Sequence, residues 1–179
     1  MNRDCFLCGH AVENVFSAMW ALPGLSERVI GFSVCPRCGA VCQSPSVTEQ
    51  DMLDYYRAIA VYTNPGSQGV PPARKQYAVQ EQISFIQRSI GSIPESVLQV
   101  GSSDGYTLFR FREAGAARLL GIEPSSTSAE FSRQRYQIEC FEGTIQDFVP
   151  NDGYELILLT HVLEHFYDPK SVLEKCRTM

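Results

Sequence analysis

Two sets of residues have types and spacing that could do chemistry. The first is a repeated cysteine pair, Cys5-Phe6-Leu7-Cys8-Gly9 and Cys35-Pro36-Arg37-Cys38-Gly39. A C-x-x-C segment puts two thiolates on one tight turn, and the glycine after it permits the positive φ that such a turn needs. Two knuckles of this kind, separated by 26 residues, can close a tetrahedral four-sulfur site. Such a site would supply much of the folding energy of a small module with little core, and it leaves no open coordination position for catalysis. Zinc is the favoured metal. Iron also takes four thiolates in this geometry, so sulfur geometry alone does not choose. His10 and Cys42 are substitute ligands to be tested.

The second set is a glycine-bracketed turn, Gly101-Ser102-Ser103-Asp104-Gly105. It follows the apolar run Val97-Leu98-Gln99-Val100 and precedes a helix-like segment from Tyr106 to Ala114. About 20 residues on, the strand-like Leu119-Leu120-Gly121-Ile122 ends in Glu123. Strand, glycine turn, helix, strand and acid are the parts of a nucleotide-type site at the mouth of a parallel sheet. The glycines let backbone approach a ligand, and the acid can accept both ribose hydroxyls. The G-x-G-x-x-G of a dinucleotide binder is missing, which points to an adenosyl ligand without pyrophosphate.

The elements that must position these residues follow from periodicity. Strands are expected at 96–100, 118–122, 137–142 and 154–160, and helices at 74–91, 105–115, 126–135 and 168–177. This alternation is the rhythm of a parallel sheet covered on both faces, and the apolar run from Tyr154 to Thr160 reads as a strand buried on both sides. A helix is expected over 46–62, capped by Ser46 or Thr48. The proline- and glycine-bearing stretch 63–73 reads as a linker. The chain therefore divides into a zinc-binding module with its following helix (1–62), the linker, and an α/β domain (74–179). The fold class is α/β: an incomplete Rossmann-like parallel sheet of about four strands with a small N-terminal zinc-knuckle module.

Composition narrows the function classes. Hydrophobic residues make up 44% of the chain, enough for a globular core. The net charge of −5, with no block of Lys or Arg, argues against a nucleic-acid partner. No run of 18 apolar residues exists, so no membrane span is expected. The first residues lack a basic flank and apolar stretch, so no signal peptide is expected and the setting reads as cytoplasmic. Of the seven cysteines, Cys140 and Cys176 read as small buried hydrophobes.

On these residues the chain resembles the class I S-adenosylmethionine-dependent methyltransferases. Val97 to Gly105 looks like their first motif and Glu123-Pro124 like their second. Phe141 to Thr144, and Leu159-Thr160-His161-Val162-Leu163-Glu164-His165-Phe166-Tyr167-Asp168-Pro169, are similar to the segments after their third and fourth strands. The cysteine module ahead of this domain is similar to the zinc-binding domain of sugar C-methyltransferases. The resemblance covers only the front half of such an enzyme, as expected of a truncated or half domain. It implies that Gly101, Ser102, Ser103, Asp104 and Gly105 wrap the methionine and ribose of the cofactor, with Asp104 near its amino group unless it only caps the helix. Glu123, next to Pro124, would take the ribose hydroxyls, Thr144 and Ile145 would border the adenine, and Thr160 would lie near the transferred methyl. The acceptor would be a small molecule such as a nucleotide-linked sugar.

Three departures from the family pattern stand out: Gln99 and Thr144 where acids are usual, and Glu155 in place of an Asp. His161 and His165 are candidate bases; they would share a face if helical, but they do not form H-E-x-x-H. A sheet of order 3-2-1-4 would leave the fourth strand at an edge, and an apolar edge is expected to pair, as in a homodimer through 154–160. A non-catalytic zinc-containing scaffold, and an iron electron carrier fused to a ligand-binding domain, are the rival readings.

Overall fold

A computed structural model describes residues 4–20, 28–43, 50 and 71–179. They fall into two compact units: the described residues of 1–59 together with 164–174, and those of 60–163 together with 175–179.

The N-terminal unit holds an antiparallel sheet of β1 (Glu13–Trp20), β2 (Arg28–Val34) and β3 (Val41–Gln43), in that order. A register shift between Asn14 and Phe16 bends β1. Phe16 stacks on Phe32 with ring centroids 4.6 Å apart. Among the described residues, Cys5, Val12 and Cys35 form one buried cluster, with Cys8, Ala40 and Cys42 packed against it, and Ile30 of β2 is buried as well. This sheet was not foreseen. Residues 13–19 are exposed without interruption, so β1 shows no in–out alternation for a sequence reading to find. Apart from Gln50, the helix expected over 46–62 lies outside the described residues, as does the linker as far as Val70.

The second unit is an α/β sandwich. Helix α1 (Ala73–Ile90) precedes β4 (Ser96–Val100), α2 (Tyr106–Glu113), β5 (Arg118–Glu123), α3 (Ser126–Tyr136), β6 (Cys140–Glu142) and β7 (Leu156–Leu158). The strands are parallel and ordered β6-β5-β4-β7, the expected 3-2-1-4. All five residues of β4 are buried, as its central place requires. Val79, Ile83 and Ile86 of α1 join Val97, Leu108, Phe111 and Leu158 in the core cluster. Gly91 ends α1 in the left-handed region, its N–H bonded to the Gln87 carbonyl. A short 3-10 turn (Leu163–His165) and α4 (Pro169–Cys176) complete the described elements.

Three expectations need correction. The last strand is shorter than 154–160, and Leu156 and Ile157 are only half-buried, because β7 pairs with β4 alone among the described strands. Cys140 and Cys176 are likewise half-buried rather than buried. No single helix carries His161 and His165: His161 has φ +52°, and only residues 163–165 form a turn of helix. None of the described helices is long and apolar enough to cross a membrane.

Candidate cofactor cleft and metal centre

The cleft is built where β4 and β5 end. The chain leaves β4 at Gly101 (φ +67°), and the N–H groups of Gly101 and Ser102 both donate to the Ile122 carbonyl at 2.8 and 3.1 Å. The turn thus lies across the end of β5, against Glu123. Gly105 (φ +78°) then starts α2. A Cβ at Gly105 would strike Ser132, and one at Gly101 would strike Val162, so both conformation and contact demand glycine. Ser103, also in the left-handed region at φ +51°, points its N–H at Glu123 Oε2, 2.9 Å away. Glu123 Oε1 accepts from Ser125 N at 3.0 Å.

Glu123 is therefore a buried carboxylate, 6% exposed, held by two backbone donors. Burial raises its pKa above the usual 4.5, and those two hydrogen bonds offset only part of the rise. Each oxygen has a lone pair left for a ligand hydroxyl. Pro124 is exposed, and Ser125 Oγ caps α3 by accepting from Ser128 N at 3.3 Å.

The other expected cleft residues have varied partners. Asp104 accepts from Tyr106 N at 3.1 Å with Oδ1 and from Lys75 Nζ at 2.6 Å with Oδ2, so both its oxygens have partners within the chain. Thr144 Oγ1 donates to Asp147 Oδ2 at 2.6 Å, which holds Asp147 below the usual carboxylate range. Ile145 is 1% exposed, so its side chain is already packed. Thr160 Oγ1 accepts from Gln82 Nε2 at 2.7 Å. Glu155 lies at the opposite end of the sheet, where its Oε2 accepts from Glu95 N at 2.6 Å. Sequence reasoning missed Lys75 and Gln82, and gave Val162 no role of its own. Nothing local marks them, since their partners lie far along the chain or, for Val162, across the cleft.

Gln99 provides a test of cofactor fit. It is buried, and its Oε1 has no partner among the described residues. Strand alternation places it on the face of β4 that carries Val97, two residues before the turn. A buried acceptor left open beside a glycine turn fits a ligand that brings a donor, such as an ammonium. With Glu123 ready for hydroxyls, the residues present fit S-adenosylmethionine.

Comparison with known proteins agrees with this geometry. Residues 98–179 match the family model described as a methyltransferase domain. The α/β unit has the fold of the class I methyltransferases. The chain is 28% identical over 104 residues to a ubiquinone biosynthesis O-methyltransferase of Actinobacillus pleuropneumoniae serotype 5b (strain L20), covering 52% of this chain and 44% of the relative. It thus spans less than half the length of that relative. Among solved structures, it superposes on the plantazolicin methyltransferase BpumL with a desmethylPZN analog and SAH, at a TM-score of 0.55 and 20% identity, over 71% of this chain and 50% of that one. Magnesium protoporphyrin IX methyltransferase (ChlM) from Synechocystis PCC 6803 with bound SAM gives a TM-score of 0.56 at 15% identity, over 75% of this chain and 73% of that one. Both structural likenesses are of fold. The domain match favours the methyltransferase reading over the scaffold and electron-carrier readings.

The cysteines come together as their spacing predicts. The two knuckles are near copies: Gly9 N and Gly39 N donate to the Cys5 and Cys35 carbonyls at 2.8 and 2.9 Å, with φ of +68° and +75°. Cys5 and Cys35 return N–H bonds to His10 O and Ala40 O, both at 2.8 Å. The sulfurs of Cys5, Cys8, Cys35 and Cys38 all lie within 4.8 Å of one another, and three of the pairs are at 3.5–3.6 Å. Tetrahedral zinc with bonds of about 2.3 Å needs sulfur edges of about 3.8 Å, whereas a disulfide would bring sulfurs to about 2.05 Å. The four thiols are free and arranged for a metal. Cys42 packs against them without joining the four, and His10 is not among the ligands either.

The sulfurs also perturb each other. Backbone N–H groups, that of Cys8 first, draw Cys5 down to about 6. The Ala40 N–H lowers Cys38, but Cys5, desolvation and the other sulfurs together push it up to about 12. A cation between the four sulfurs would favour their thiolate forms.

Proposed function

We propose that this protein transfers a methyl group from S-adenosylmethionine to a small-molecule acceptor, with a nucleotide-linked sugar as the acceptor class. Glu123 carries the cofactor reading. It is a buried carboxylate with open lone pairs, and it hydrogen-bonds the N–H of the glycine turn that would wrap the same ligand. Support for the sugar acceptor is the pairing of a four-cysteine module with a methyltransferase domain.

The cofactor, when bound, supplies an already electrophilic methyl group. The chain's own task is to hold it and to present the acceptor in line. Glu123 would hold the ribose, Gln99 Oε1 the ammonium, and the turn 101–105 would close over the link between them. Cys5, Cys8, Cys35 and Cys38 would hold one structural zinc, a closed site with no catalytic position. His161 and His165 remain candidates for the base that carbon methylation requires.

Calorimetric titration of the zinc-loaded protein with S-adenosylhomocysteine tests the reading. Micromolar binding that is abolished in Glu123→Gln supports it. A folded protein that binds neither S-adenosylhomocysteine nor S-adenosylmethionine refutes it.

A further inference from the structure

We propose that helix α1 is a positioning strut of the cofactor cleft, acting through Lys75 and Gln82; this rests on the function proposed above. The two residues are seven apart, two helical turns, and so share a face. That same side of α1 sends Val79, Ile83 and Ile86 into the core. Those apolar contacts already seat the helix on the sheet.

The polar tethers do something different. Lys75 Nζ holds Asp104 Oδ2 at 2.6 Å, on the turn that follows β4. Gln82 Nε2 holds Thr160 Oγ1 at 2.7 Å, on the segment that follows β7. β4 and β7 are adjacent parallel strands, so these are the two lips of the crevice at their carboxyl ends, where open α/β sheets bind ligands. Val162 packs against Gly101 between them. One helix thus sets the spacing of both lips.

The Lys75 tether reaches further. Asp104 follows Ser103, whose strained backbone points its N–H at Glu123. Fixing Asp104 from α1 therefore fixes the donor that orients the ribose-binding acid. The Lys75 ammonium also lies 5.7 Å from the ring centre of Tyr106, the first residue of α2. Lys75 and Gln82 are positioning residues, since they act through Asp104 and Thr160.

A third tether of α1 supplies the control. Gln80 Oε1 accepts from Arg110 Nη2 at 2.8 Å, on the body of α2 rather than at a lip. If polar tethers merely fasten the helix, Gln80→Ala should act like the other two. S-adenosylhomocysteine affinity and the melting temperature of the ligand-free protein are measured for Lys75→Met, Gln82→Ala, their double variant, Gln80→Ala and Lys75→Arg. The expected result is a loss of about tenfold in affinity in the double variant, equivalent to ~1.4 kcal/mol. Gln80→Ala leaves affinity unchanged at a similar melting temperature, and Lys75→Arg recovers most of the single-variant loss. Affinity within about twofold of wild type in the double variant overturns the inference, as does an equal loss in Gln80→Ala. A wild-type protein that binds no ligand overturns the proposed function itself, a separate outcome read before any variant.

Discussion

Replacing Glu123 by Gln separates what the carboxylate does for the fold from what it does for the ligand. Ser103 N and Ser125 N each donate to one of its oxygens at 2.9 and 3.0 Å. Gln keeps the shape but has one acceptor oxygen, so one of these buried N–H groups would face an NH2. An unsatisfied buried donor costs about 1–3 kcal/mol. Against this, the variant no longer buries a charge, a cost visible in the raised pKa. The two effects oppose, so the ligand-free protein should lose no more than about 2 kcal/mol. Binding has no such offset. Two hydroxyl bonds to a charged acceptor become bonds to a half-occupied amide, and charged hydrogen bonds contribute about 1.5–3 kcal/mol each. A loss of about 3 kcal/mol, more than a hundredfold in Kd, is expected.

The pH dependence supplies a second reading. A carboxyl whose folded pKa is raised binds its proton more tightly in the folded state. Its contribution therefore favours folding fully below the unfolded value near 4.5 and is lost as pH climbs through the folded value. Ligand affinity runs the other way, because hydroxyls need the ionised acceptor. It should fall on acidification, starting at a higher pH than an ordinary carboxylate would give. Calorimetry and chemical denaturation across that window, for wild type and Glu123→Gln, test both signs. A variant that binds S-adenosylhomocysteine within threefold of wild type would falsify the assignment of Glu123 to the ribose.

Three further outcomes follow from the geometry. Gly105→Ala should destabilise by at least about 1–2 kcal/mol from left-handed strain alone, and by more because its Cβ meets Ser132; thermal melting reads this, and an unchanged midpoint rejects the tight-turn account. Metal analysis should find one zinc per chain, lost on Cys35→Ser; because binding displaces thiol protons, zinc affinity should rise with pH, and a pH-independent affinity would argue against thiolate ligation. The outer edge of β7 is unpaired among the described strands, so we expect pairing through 154–160; sedimentation showing a monomer, with rapid amide exchange along Leu156–Leu158, would reject this.

Most of the α/β unit could be read from the sequence because its strands and helices bury one face or two. Ser96–Val100 is buried throughout, and the strand order is the 3-2-1-4 expected alongside the family resemblance. Gly101, Gly105 and Glu123 could be found because turn chemistry and an acid at a strand end are local signals. What escaped was pairing at a distance. Asp104 looked like a ligand for an amino group, yet Lys75, twenty-nine positions earlier, already holds it. Thr160 is held by Gln82, seventy-eight positions earlier. Exposed-looking polar residues on a helix carry no mark of which loop they will meet.

The N-terminal unit was half legible for a different reason. Its cysteines announce themselves by spacing, while β1 does not, because residues 13–19 are exposed throughout and show no alternation. Among the described residues, Val15, Phe16, Met19, Val29 and Val41 are exposed, while Cys5, Val12, Ile30 and Cys35 are buried. Apolar side chains left exposed contribute little to offsetting the ordering entropy of the sheet. The near-identical knuckles point to a bound metal as a further source of stability. Each fixes its turn with two backbone hydrogen bonds, and the metal would join the turns to each other. Zinc would then supply much of the stability of this unit through four ligand atoms. In the α/β unit stability is spread over a core running from Val79 to Leu158. Removing zinc should therefore unfold the first and leave the second intact.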